Sequence, residues 1–581
     1  MKTLLLLFLA SILSLEFIEK NHSGTSVYFK DQVLNTRVYK IQTAVGCSPN
    51  LATINFKESL NQIPLLEGWG NYRMPVTASN DSANIYFQQG INMYYGFHMI
   101  EAAASFEKAL TFDPNFAMGH WGKALALGPN INDIGYSTSA DALKAIQEAK
   151  SLYSNCTGVE KALIEAMEQR YSLDSLQSRE NLNQVYADAM KKVHENFPNS
   201  ADAAALYADA LMVQHPWDLY DRHYNPKPWT PVLVQVLEKL VKQFPENPGA
   251  SHYYIHAIEG SKTPERGLQV ADRLGGLMPG LAHLVHMPSH IYIRSGQYEK
   301  GIASNDLAVK DYYNYLSKYP LTAGGSFIYL VHNQHMQAVC AGMDGQYKNA
   351  LKFSQETQKS VDPGWLDEGA YFGVYAQYMY MVPYFIQIRF GKWDDLLTAP
   401  EIAPSRVYAN MMWHFARGIA HARKHQFEQA NLELKKLQDS KPNPQLRESP
   451  TAFNPGITAV QVAEKILQGV IAEENNQVDK AVELFNQAVD MEDGMLYNEP
   501  KDWILPARHF LGDVLLNAKD YSKAEKVYKE DLTVNPNNAW SLTGLEKALV
   551  KQNKKAEAKT VNQQLRKALA RADVQIPGSV Y

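Results

Sequence analysis

The sequence predicts an all-α fold, a superhelix of antiparallel helix pairs (an α-solenoid) with inserted loops, and three observations carry that expectation. A pattern of small, small, aromatic, small and proline recurs at fixed offsets, as in Gly90, Ala102, Phe106, Ala109 and Pro114. Small residues let the two helices of a hairpin approach, the aromatic fills the gap between hairpins, and proline cannot continue the second helix. Strand-like alternation is sparse along the chain. Finally, the 581 residues are 45% hydrophobic and 20% charged, enough to bury a long quasi-one-dimensional core.

The elements follow in order. Residues 1–15 read as a secretory signal peptide, because Lys2 precedes an apolar run from Leu4 to Leu13 that is too short for a comfortable membrane span. A periplasmic or secreted protein is expected, although no small-x-small pair before Glu16 fixes the cleavage point. Residues 16–80 form an irregular N-terminal segment with Gly68, Gly70 and Pro75 marking loops, and 81–213 hold the N-terminal helical repeats. Residues 214–230, from His215-Pro216-Trp217-Asp218 through Trp229, are too punctuated for a helix and read as an inserted loop, a lid or edge decoration.

Central repeats occupy 231–444. The units 248–281, 282–315, 331–364 and 411–444 are set by Tyr292, Gly296, Tyr298 and Ala308, by Gly345, Tyr347 and Ala350, and by Phe427 and Ala430. A linker is expected at 445–461, and C-terminal repeats at 462–572. Gly469, Ala481, Phe485 and Ala488 register the first of these, Gly512, Ala524, Tyr528 and Pro536 the second, and Ala558 the third; 573–581 form a tail.

Charge and motifs exclude several functions. A formal net charge of −5 argues against nucleic acid as the main partner, since phosphate binding needs a concentrated basic face. After removal of the leader no stable membrane span is expected. Cys47, Cys156 and Cys340 suggest neither a disulfide framework nor a thiolate site. Phosphate loop, dinucleotide fingerprint, nucleophile elbow and His-Glu-x-x-His are all lacking, so any enzymatic reading rests on histidines.

Seven of the seventeen histidines fall at recurring slots of three central repeats. Counting from each unit's first residue, positions 2, 5, 9 and 12 share an arc of about 80° on the first helix, which lines the concave face. The 248 unit places His252, His256 and Glu259 there; the 282 unit places His283, His286 and His290; the 331 unit places His332 and His335. His252/His256 and His286/His290 are i,i+4 pairs, which leave a helix about 5–6 Å apart at Cβ and can chelate one ion. Imidazole with carboxylate suits a divalent transition metal such as zinc, copper, iron or nickel. Glu259 is expected as a ligand or as a general base, and Pro288 is expected to kink the helix between His286 and His290.

A competing expectation is a metal-free interaction scaffold. Tyr253, Tyr254, Tyr292 and Tyr329 interleave the histidines, and a His/Tyr groove also describes a surface for an extended peptide or a partner's helix. Elsewhere, His414 is expected to pack against its partner helix, and His509 with Asp513 to lie far along the solenoid from the cluster. Asp218 and Asp221 are expected to cap turns, and His98 and His120 to be ordinary residues.

The repeat register resembles that of tetratricopeptide repeat proteins, which implies a tetratricopeptide-type solenoid. Further segments resemble a widespread group of large bacterial tetratricopeptide proteins. These are Gly128-Pro-Asn-Ile-Asn132, Pro216-Trp-Asp218, His252-Tyr-Tyr-Ile-His256-Ala-Ile-Glu259, His283-Leu-Val-His-Met-Pro-Ser-His290, His332-Asn-Gln-His335 and Tyr497-Asn-Glu-Pro500. That resemblance spans most of 60–570 and implies fold and little else. The chain departs from it at Tyr72, Arg73 and Met99, where the group's pattern leads one to expect histidines.

Overall fold

The computed structural model describes residues 63–581 apart from 133–135, 137–138, 175, 320–326, 368–370 and 449–452. The expected leader and Cys47 lie outside the described residues. Among the described residues there is no strand, and helical hairpins follow one another with a single isolated β-bridge, Tyr220 to Pro226, inside the loop at 214–230. Residues 63–80 carry no helix, as expected.

The glycine and aromatic register explains the stacking. The first hairpin pairs α1 (Asp81–Tyr95) with α2 (Met99–Phe112). The Phe106 ring lies so close to two backbones that a Cβ on Gly90 would sit 2.7 Å from it, and one on Gly122 2.5 Å. Only glycine fits at those positions, so one ring locks its own hairpin to the next.

Four helices carry the histidines. In α3 (Pro248–Ile258) the Asn247 side chain accepts from the Ala250 N–H, and proline occupies the first turn, so the sequence sets where the helix starts. The next unit's helix is split at Met287 into α4 (Ala282–His286) and α5 (Pro288–Arg294), because Pro288 has no N–H to donate. The chain continues through α6 (Tyr298–Lys318) to α7 (Phe327–Met343).

The solenoid does not stay open. Near the C-terminus α8 (Ala507–Asn517), α9 (Tyr521–Val534) and α10 (Ala539–Lys551) turn back onto the central repeats. Arg294 donates to the Val534 carbonyl at 3.1 Å, the Tyr298 hydroxyl to Pro536 at 2.9 Å, and the Trp540 indole to Gly342 at 2.8 Å. Asp573 accepts from the Tyr347 and Lys348 N–H groups. At the other end Gly280 donates to the Gly68 carbonyl at 2.8 Å. Thus the unit holding His509, expected to be remote, packs against the histidine-bearing repeats.

Two boundaries also differ from expectation. The linker at 445–461 is shorter, because the Gly456–Glu474 helix already starts within it and Gln445–Glu448 forms a helical turn. The tail at 573–581 is docked: Ser579 is buried and donates to the His509 carbonyl at 2.7 Å. One large apolar core spans the N-terminal half to about Tyr319, and another spans the rest. The histidines lie where the two meet.

Candidate metal centre

The seven histidines are buried rather than spread on an open concave face; His252, His286, His290 and His335 are 0% exposed and His256, the most exposed, 5%. Closure of the superhelix turns that face inward. The insertion adds Trp217, whose ring meets His256 edge-on at 5.1 Å and also contacts Phe453.

Six of the seven form two triads. In the first, Nε2 of His252 is 3.1 Å from Nε2 of His256 and 3.2 Å from Nε2 of His283. In the second, Nε2 of His286 is 2.7 Å from Nε2 of His290 and 3.1 Å from Nε2 of His332. Each triad offers donor atoms close enough to share one ion. The triads are neighbours, since the His256 and His290 ring centroids are 5.8 Å apart and those of His283 and His286 6.0 Å.

Partners behind the rings fix their tautomers. His252 Nδ1 faces the Tyr95 carbonyl at 2.6 Å, and His286 Nδ1 faces Asn305 Oδ1 at 2.6 Å while the Asn305 amide N–H donates to Gly301. Glu259 spans both triads, one oxygen on His256 Nδ1 at 2.8 Å and the other on His290 Nδ1 at 2.6 Å. These acceptors demand Nδ1–H, which leaves the Nε2 lone pairs pointing inward at one another. In the first triad, burial and, secondarily, His290 hold His256 down to about 3 against the pull of Glu499, and burial holds His252 well below its ordinary value. The His252/His256 contact is therefore lone pair against lone pair, an arrangement that a shared cation relieves.

The second triad is electrostatically different. Burial and neighbouring imidazoles push His286 and His332 well down, as they do His283. Burial also opposes a charge on His290, but Glu499 and Glu259 outweigh it and raise His290 to about 10. A proton can thus occupy the place between His290 and His286 when no metal does.

Two expected site residues are placed differently. His335 joins neither triad; its Nε2 faces the Tyr378 hydroxyl at 3.4 Å, and that hydroxyl donates to the Lys501 carbonyl. Position 5 of the 331 unit points onward to the following repeat because successive units rotate around the superhelix. Glu259 lies near potential ligands, in a group with His256, His290 and Glu499, but both of its oxygens contact Nδ1, behind the rings and away from the converging Nε2 atoms.

Sequence reasoning missed Glu499, Asn305, the Tyr95 carbonyl and Phe97. Glu499 Oε1 is 3.3 Å from His290 Nδ1, and burial, then Glu259, raise its carboxyl above the usual range. Its one signal was the Tyr497–Pro500 segment. Phe97, held at φ 58°, lies tilted against His252 at 4.4 Å and stacks over His256 at 5.7 Å and His283 at 6.0 Å.

The minor expectations divide: His98, expected to be an ordinary residue, is buried and stacks at 5.4 Å on Tyr329, which also lies against His283. His414 pairs with Glu433 of the adjoining helix at 2.5 Å, and Asp221 accepts from the His223 and Asn225 N–H groups. Asp218 instead pairs with Lys227. His509 meets Asp531 at 3.2 Å. Cys156 and Cys340 are free. No helix among the described residues is long and apolar enough to cross a membrane.

Residues 505–538 match the tetratricopeptide repeat family model, and other hairpins carry the same glycine and aromatic register. No curated protein sequence matches the chain. Among solved structures, a human IFIT1 dimer with m7Gppp-AAAA is 13% identical, covering 89% of this chain and 100% of that one at a TM-score of 0.29. Yeast Tom70 is 11% identical over 84% of this chain and 91% of its own, with a TM-score of 0.28. Likeness at that level assigns no ligand or partner.

Proposed function

We propose that this protein is an exported metal-binding solenoid whose interior holds two transition-metal ions, each on three imidazole Nε2 atoms. His252, His256 and His283 take one ion and His286, His290 and His332 the other. The observation that carries this reading is the convergence of Nε2 lone pairs, with acceptors on Nδ1 of His252, His256, His286 and His290, most clearly at the 3.1 Å His252/His256 contact. Backing of ligand histidines by carboxylate or carbonyl is what metal sites use to fix ring orientation and raise basicity. Each triad leaves a position open for a further ligand, the condition for catalysis as opposed to storage or structure. Glu259 serves there as the common support of both triads.

A metal-free peptide scaffold receives less support, because a peptide lying in a groove would not meet imidazoles buried to this degree. Elemental analysis of untagged protein tests the proposal: two equivalents per chain are expected, with a fall in melting temperature on adding a strong chelator, since an ion bound only by the folded state stabilises it. Metal-free protein that takes up no ion on reconstitution and ignores the chelator would overturn it. N-terminal sequencing of the native protein tests export, which predicts loss of the leader.

A further inference from the structure

We propose that the two triads hold a coupled pair of copper ions that, as Cu(I), binds dioxygen as a peroxide bridging them. This deepens the two-ion reading above and rests on it.

Three features of the centre select copper and dioxygen. The first is the donor set. All six atoms that converge within the triads are imidazole Nε2 nitrogens, whereas Glu259 and Glu499, which group with His256 and His290, meet those rings from the Nδ1 side. Open iron(II) sites of the oxygenase kind use two histidines and a carboxylate, whereas three imidazoles with an open position suit copper or zinc, and charge separates those two.

The second is charge. The centre is buried, and its nearby carboxylates are Glu259 and Glu499. Among the groups that touch the imidazoles, two monovalent ions and two ionised carboxylates sum to zero. Two divalent ions with neutral ligands leave an excess of two positive charges, which a low-dielectric interior penalises. Dioxygen binding preserves the balance. Each Cu(I) gives up one electron, the O=O bond is reduced to the O–O single bond of peroxide, and the two Cu(II) charges are offset by peroxide and the two carboxylates. No proton or outside reductant enters.

The third is the position of the triads. They stand side by side, and Glu259 ties one ligand of each to a single carboxylate, so their spacing is set by one side chain. Over the first triad, Phe97 and Tyr329 lay aromatic surface against His252 and His283, which excludes water that would protonate and release the peroxide.

The test uses the full chain, reconstituted with Cu(I) under anaerobic conditions and then exposed to dioxygen. Uptake of one dioxygen per copper pair is expected, with an intense near-ultraviolet peroxide-to-copper band and no cupric electron paramagnetic resonance signal, because the two spins couple. Removing dioxygen under vacuum should bleach the band. His283→Ala and His332→Ala each break one triad, so each should retain one copper and lose the band.

Two bound Cu(I) ions without oxygen uptake, or a full uncoupled cupric signal after exposure, would overturn this inference and leave the two-ion reading standing. So would two equivalents of zinc in a protein that refuses Cu(I). Failure to bind any of these metals removes both. If a variant does not fold, the wild-type ratio of dioxygen to copper still decides.

Discussion

At the residue scale, the arrangement behind the imidazoles predicts more than the imidazoles themselves. Glu259 accepts from one ring of each triad, so Glu259→Gln keeps the shape but offers one acceptor oxygen where two are needed. We expect about a 10–100-fold loss of metal affinity, the usual cost of removing such a partner, with helix content intact. A competition titration against a chromophoric chelator measures it, and unchanged affinity would remove Glu259 from this role. His335 supplies a separate test, through pH. Burial holds it down to about 3, against an ordinary value near 6.5. Between those values the unfolded chain binds the proton and the folded chain does not, so stability is full above about pH 6.5 and declines as pH falls toward 3. One such group steepens the decline by up to about 1.4 kcal/mol per pH unit. Denaturation midpoints of metal-free protein between pH 7 and 5 should show a shallower slope in His335→Gln; parallel slopes would refute the assignment. Helical periodicity made the shared face of the eight expected metal-site residues legible. It says nothing of which ring nitrogen meets which neighbour, so neither the two triads nor the grouping of Glu259 with His256, His290 and Glu499 could be read from it.

Hairpin packing is where the chain was most readable. Gly512 and Gly544 are both overlain by the Tyr528 ring, as Gly90 and Gly122 are by Phe106. That register is local in sequence, so it survives without knowledge of the tertiary fold. For Gly544→Ala two effects oppose each other. Alanine favours a helix over glycine by about 1 kcal/mol, while forcing a methyl into the ring costs about 1–3 kcal/mol. Net destabilisation is expected in urea unfolding, and Tyr528→Ala in the same chain should recover part of it, since contacting residues are not additive. A stabilised single variant would mean that the ring is free to move. Pro288 was equally legible: the split at Met287 is what a missing N–H requires. The shorter linker was not, because Lys441 to Pro455 reads as punctuation and the repeat register starts the next unit at 462, while its helix already begins at Gly456.

At the scale of the whole molecule the sequence was silent, since nothing local in residues 505–551 announces that they will lie against residues 294–342. Glu499 could not be assigned to the centre for the same reason. Yet Arg294 shows how strongly the ends are joined. Its guanidinium donates to the carbonyls of Glu259, Ser261 and Val534 and lies between the rings of Tyr224 and Tyr497, at 4.8 and 5.3 Å. Arg294→Ala should leave two buried carbonyls and one half-buried carbonyl short of a donor and cost about 2–5 kcal/mol. It should also quicken metal release to a chelator; a release rate equal to wild type would show that closure does not guard the centre. All six triad histidines are synthesised before the segment that covers them. The ligands therefore lie far upstream of Tyr497, Glu499 and the last repeats, and the centre is enclosed only once those have docked. The C-terminus acts as a latch: until its final hairpins close, the six imidazoles stay within reach of solvent, and whatever they hold becomes shielded in the last step of folding.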